Sequence, residues 1–185
     1  MAAIGKTGTR WLLWLAAGFW LVVLFTAAVY AFNPFGTASI DPRARLLGYA
    51  TYRASSESMA PTVSTGDIVL VDTKAFRTRG PDRGDIVAFL SARDDSVRLY
   101  RVAVLPGESV AIREGVLLID GQPQPLPPGA TASGLRGEID EMATRTMPPD
   151  QYFLLGDNRD FAEDSRYTGP VPREWLIGRV VRVLR

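Results

Sequence analysis

The chain has 185 residues and a formal net charge of +1, from 21 basic and 20 acidic side chains. It holds no cysteine and no histidine, which excludes disulfides, thiol nucleophiles, histidine bases and the usual zinc constellations. The balanced charge argues against a general polyanion binder, so no nucleic-acid partner is expected. Lys6 and Lys74 are the only lysines, and arginine is a poor proton acceptor because its guanidinium stays charged.

Residues 1–10 form a short tail carrying Lys6 and Arg10. Residues 11–32, Trp11 to Phe32, carry no charge, and such a length in a helix spans the roughly 30 Å hydrocarbon core of a bilayer. Trp11 and Trp14 at one end and Tyr30 and Phe32 at the other suit the two interfaces. The run exceeds the roughly 7–15 apolar residues of a cleaved signal peptide, so it reads as a permanent single-pass anchor in the lipid bilayer. Positive charges lie on both sides, Lys6 and Arg10 before the span and Arg43 and Arg45 after it. The leading pair sits closest, which favours the amino terminus inside and the rest of the chain on the extracytoplasmic side.

Asn33-Pro34 ends the helix, and residues 33–46 read as a linker with Pro34, Gly36 and Asp41-Pro42. Residues 47–185 follow as a mainly β domain. Strand-like runs occur at Leu47–Tyr52, Asp67–Val71, Asp85–Leu90, Val97–Val104, Val116–Ile119, Tyr152–Leu155 and Gly178–Leu184. Turn signals such as Thr65-Gly66-Asp67, Pro106-Gly107 and Asp120-Gly121 separate them, which predicts a β-barrel or sandwich. Residues 121–150 are broken by Pro123, Pro125, Pro127, Pro128, Gly129, Gly134 and Gly137, so they read as an excursion without a core of its own.

Three clusters carry candidate chemistry. Ser56-Glu57-Ser58-Met59-Ala60-Pro61-Thr62 precedes Gly66-Asp67. Arg83-Gly84-Asp85-Ile86-Val87 precedes Arg101-Val102 and Leu105-Pro106-Gly107. Gly156-Asp157-Asn158-Arg159-Asp160 runs on to Asp164-Ser165-Arg166. Taken singly, serine strings and Gly-Asp pairs are ordinary turn chemistry. Asp157, Asp160 and Asp164 are carboxylates of a kind that hard cations bind, yet Arg159 and Arg166 between them point to ion pairing, so no metal is expected.

In this order the clusters resemble the type I signal peptidase family, over nearly the whole chain. The resemblance implies a membrane-anchored serine endopeptidase with a β-rich domain, removing signal peptides from exported preproteins on the outer face of the membrane. Pilin-maturing peptidases are similar, so pre-pilin-like substrates belong to the same expectation. By resemblance Ser58 is the nucleophile, and the Ser56 hydroxyl with the Ser58 N–H forms the oxyanion hole. Met59 and Pro61 shape the apolar wall that meets substrate. Asp157, Arg159, Asp164 and Arg166 brace the site, and no cofactor is implied.

Two positions depart from the pattern. The family's lysine base aligns with Tyr100, and the serine that orients it aligns with Ala162. A serine hydroxyl is a weak nucleophile without an adjacent base. A tyrosinate at Tyr100 favoured by Arg98, a carboxylate at Glu57, Glu163 or Asp164, and Lys74 are the remaining candidates; the alternative for Tyr100 is a core residue. Two functions stay open: a peptidase with a non-standard base, or a homologue that binds signal peptides without cutting them. A third, an unrelated single-pass scaffold protein, does not account for the motif order.

Overall fold

A computed structural model describes residues 6–37, 39–131 and 141–185, with side chains from Trp11 onward. Residues 1–5 of the tail and Gly134 and Gly137 of the proline-rich stretch lie outside the described residues. Helix α1, Lys6–Phe32, contains Trp11–Phe32, which is long and apolar enough to cross a membrane. None of that window is buried against the rest of the protein.

The linker is more ordered than proline and glycine suggest. Asp41 caps a short helix α2, Pro42–Leu47, by accepting from the Arg43 N–H, and Gly48 ends it in the left-handed region at φ 73°. Leu47 therefore closes a helix instead of opening a strand. Tyr30 ties the anchor to this segment: its hydroxyl donates to the Ile40 carbonyl at 2.8 Å, and Arg45 lies 4.9 Å from its ring centre.

The rest is mainly β. We number its strands β1 Tyr49–Arg53, β2 Ile68–Asp72, β3 Ile86–Leu90, β4 Val97–Val104, β5 Ser109–Arg113, β6 Val116–Ile119, β7 Gln122–Pro123, β8 Met142–Thr146, β9 Gln151–Leu155, β10 Val171–Pro172 and β11 Leu176–Leu184. One sheet runs β1-β2-β11-β3-β4-β9-β10 and a second runs β7-β6-β5-β8, with antiparallel pairing throughout. β5, β8 and the short β7 and β10 were not legible as strands. β8, Met-Ala-Thr-Arg-Thr, has one buried side chain and owes its conformation to pairing with β5.

Two apolar clusters hold the sheets. The larger joins Met59, Val69, Val71, Val87, Tyr100, Val102, Leu154 and Ile177. The smaller joins Val104, Val110, Ile112, Met142, Met147 and Phe153. Each fully buried side chain of this size contributes roughly 1.5–3 kcal/mol. Met142 and Met147, from the stretch 121–150, pack into the second cluster, whose other members lie outside that stretch. β4 and β9 serve both clusters, since Val102 and Leu154 face one while Val104, Phe153 and Leu155 face the other. β4 itself carries Tyr100 and Arg101, and β9 leads into the loop 156–166.

Candidate active site

Strand β1 ends at Arg53, and the chain then makes a 3-10 turn over Glu57–Met59. The turn points the Ser56 and Ser58 hydroxyls at each other, 2.9 Å apart in a shared hydrogen bond. Ser58 is 8% exposed and Ser56 is open to solvent. Both line a groove of about 380 Å³ with Tyr52, Met59, Val97, Arg98, Tyr100, Phe161 and Glu163 among its walls. Met59 forms wall beside Ser58. Pro61 does not line the groove; it packs near Gly129 instead.

The loop after β9 holds the turn from behind. The Asn158 N–H donates to the Ser58 carbonyl at 3.0 Å. Gly156 is required there for space: a Cβ at this position would sit 2.6 Å from the Ser58 carbonyl oxygen and 2.3 Å from the Ala162 Cβ. Asp157, 1% exposed, takes a bidentate pair from Arg101 at 2.6 and 2.7 Å and a hydrogen bond from the Thr62 hydroxyl at 2.6 Å. Asp164 is fully buried, accepts the Gly156 N–H at 3.0 Å and pairs with Arg166 at 2.8 Å. Arg166 also donates to the Arg159 carbonyl at 2.6 Å, and Arg159 to the Gly156 carbonyl at 3.0 Å. Burial lowers the Arg159 pKa from its ordinary value.

These carboxylates are therefore engaged by arginine, hydroxyl and backbone donors. Among the described residues no group of acidic side chains is arranged to hold a metal ion. Arg101, the partner of Asp157, adds a further residue to this brace. Its signal in the sequence is its place next to Tyr100 on β4, where neighbouring residues emerge on opposite faces.

Tyr100 is 4% exposed and packs on Phe89, with ring centres 5.6 Å apart. Its hydroxyl donates to the Glu163 carbonyl at 3.0 Å. Burial pushes its pKa up and the Asp164 carboxylate adds to this, while Arg98 opposes both. Among the candidate bases, a tyrosinate at Tyr100 is thus disfavoured. Tyr100 also reaches the backbone of the residue next to Ala162, which is itself buried in the same cluster. The two departures from the resemblance are neighbours in space.

Lys74 is not available to Ser58. Its ammonium sits 3.7 Å from the Tyr49 ring centre and 5.7 Å from that of Phe35. Tyr49 opens β1 and Ser58 follows its other end, so four strand steps, roughly 13 Å, separate the two ends. Glu163 pairs with Arg93 and, at 3.6 Å, with Arg98, and the first contact lowers its pKa. Glu57 is exposed and lines no part of the groove.

Residues 10–184 match the family described as signal peptidase, peptidase S26. The chain belongs to that family. It is 34% identical over 149 residues to signal peptidase I of Leptolyngbya laminosa, covering 73% of this chain and 70% of that protein. It is 28% identical over 169 residues to signal peptidase I V of Bacillus subtilis, covering 86% and 94%. A crystal structure of a signal peptidase I from Enterococcus faecalis superimposes with a TM-score of 0.47 at 31% identity, over 56% of this chain and 98% of that one. Family membership makes this signal peptidase a serine endopeptidase, and its amino-terminal helix fits a membrane anchor.

Proposed function

We propose that this signal peptidase cleaves signal peptides from exported preproteins by acyl transfer to Ser58, with its β domain on the extracytoplasmic face of the bilayer. The contact between the Ser56 and Ser58 hydroxyls at 2.9 Å in an open groove is the observation that carries the reading. Ser58 Oγ attacks the scissile carbonyl carbon, and the displaced electron pair goes to the carbonyl oxygen. The Ser58 N–H and the Ser56 hydroxyl, released from Ser58, donate to that oxyanion. Collapse breaks the C–N bond, the amine leaves with a proton from water, and a second water hydrolyses the ester. Met59 supplies apolar wall to the substrate residue before the cut. Asp157, Arg159, Asp164 and Arg166 keep the loop seated behind Ser58.

The Ser58 proton goes to groove water, because Tyr100 is buried as a donor to a carbonyl and Lys74 is remote. Turnover is therefore slow and rises with pH, without the plateau that a lysine base would give. The same Tyr100 geometry favours a second reading, a homologue that binds signal peptides and does not cut them.

The test is cleavage of a preprotein by the detergent-solubilised full chain beside Ser58→Ala. Cleavage lost in the variant supports the peptidase. No cleavage with saturable signal-peptide binding supports the second reading, and neither activity overturns both.

A further inference from the structure

Ser58 is flanked by two peptide planes, and each is held through its carbonyl. The Glu57 carbonyl accepts from the Ala60 N–H at 3.1 Å inside the 3-10 turn. The Ser58 carbonyl accepts from the Asn158 N–H at 3.0 Å, which comes from a loop a hundred residues later in the chain. Fixing both planes fixes φ and ψ of Ser58, and with them the directions of its N–H and its Cβ. A catalytic group must be held to a fraction of an ångström, so whatever fixes the Asn158 loop also fixes the nucleophile.

That loop has a backbone partner from an unexpected place. The Thr131 N–H donates to the Asp157 carbonyl at 2.8 Å, and the Arg159 N–H donates to the Thr131 carbonyl at 2.9 Å. Thr131 and Asn158 thus form a parallel bridge. Thr131 belongs to the proline-rich stretch that leaves the second sheet after β7. Just before it, Gly129 at φ 83° lies against the active-site turn: a Cβ there would meet Pro61 at 3.9 Å and the Thr62 hydroxyl at 4.0 Å. The same short segment touches both the turn that carries Ser58 and the loop that clamps it.

We propose that Thr131 is a positioning residue for Ser58, acting through its backbone: it pins residues 157–159, whose Asn158 N–H in turn holds the Ser58 carbonyl. The inference rests on Ser58 being the nucleophile for its catalytic consequence, though the clamp itself can be read without turnover. Thr131→Pro removes the N–H that Asp157 accepts. Thr131→Val keeps it, and Thr131→Gly keeps it on a looser backbone.

The experiment is hydrogen exchange of the Asn158 amide in the full-length detergent-solubilised chain, alongside kcat and KM for a preprotein. Exchange at Asn158 is expected to be about tenfold faster in Thr131→Pro than in Thr131→Val, with Thr131→Gly between them. In step with this, kcat falls about tenfold in Thr131→Pro while KM stays within about twofold. If Thr131→Pro does not fold, the comparison of Thr131→Gly with Thr131→Val carries the test. Equal Asn158 exchange across the folded variants overturns the clamp, as does a rise in KM with kcat unchanged. Cleavage that survives Ser58→Ala overturns the proposed function instead, and leaves the exchange result standing.

Discussion

On the proposed mechanism, replacing Tyr100 by lysine and Ala162 by serine together should speed cleavage. A positioned general base contributes about 10²- to 10⁴-fold, equivalent to roughly 2.7–5.4 kcal/mol of barrier at 1.36 kcal/mol per decade. The site favours a neutral amine. Tyr100 is 4% exposed, and burial of that degree lowers a lysine pKa toward the working range. Arg98 lies on the same side and pushes it down further, while the Asp164 carboxylate opposes. The loss is modest. The hydrogen bond to the Glu163 carbonyl is worth about 1 kcal/mol, and Glu163 is exposed enough for water to replace the donor. A serine at 162 puts a hydroxyl into a buried position beside Gly156. Alone it should cost about 1–2 kcal/mol and add no rate, because the hydroxyl lacks a partner. With the lysine present the partner exists. The assay is kcat/KM for preprotein cleavage across pH, with thermal unfolding as control. We expect a gain of at least about 100-fold in the double variant, a smaller gain for Tyr100→Lys alone, and a new plateau at high pH where the amine is neutral. A folded double variant with the wild-type rate and pH profile would refute the assignment of these two positions.

Three further outcomes follow from the geometry. If the Ser56 hydroxyl is the proposed oxyanion donor, Ser56→Ala should lower kcat about 10²- to 10³-fold with little change in KM, measured by steady-state cleavage. Gly156→Ala places a methyl 2.6 Å from the Ser58 carbonyl oxygen, so it should lower the unfolding midpoint by the equivalent of about 1–3 kcal/mol and abolish cleavage. Adding Ala162→Gly removes the side-chain clash only, so activity should stay absent while stability partly returns. Tyr100 has a folded pKa above the ordinary value of about 10, so its contribution to stability is complete below pH 10 and is lost as pH rises toward the folded value. Alkaline unfolding should therefore be shallower in Tyr100→Phe, with no difference in slope between pH 6 and 9.

The seven strands read from the sequence are short runs rich in valine, isoleucine, leucine and tyrosine, with turn signals between most of them. Such runs fill a pleated, half-buried surface, and their local pattern is enough to reveal them. β8 lacks that property, with one buried side chain in five, so nothing local distinguishes it from a loop. α2 did carry its cap signal, Asp41 before Pro42, but six residues are too few for periodicity to outweigh the surrounding linker chemistry.

The candidate site divides the same way. Ser58, Ser56 and the Asp157 to Arg166 loop were legible because their motifs are contiguous and ordered along the chain. The anchor was legible because apolar length is a property of the sequence itself. The absence of a lysine at position 100 was legible too. What became of that position was not. That Tyr100 points its hydroxyl at Glu163 beside Ala162, that Lys74 is stacked at the far end of β1, and that Arg101 binds Asp157 are contacts between residues 25 to 63 positions apart. Strand pairing and loop packing decide such contacts, because side-chain hydrogen bonds and desolvation depend on which surfaces meet. The sequence determined which groups this peptidase possesses, and the tertiary structure decided which of them can reach a proton.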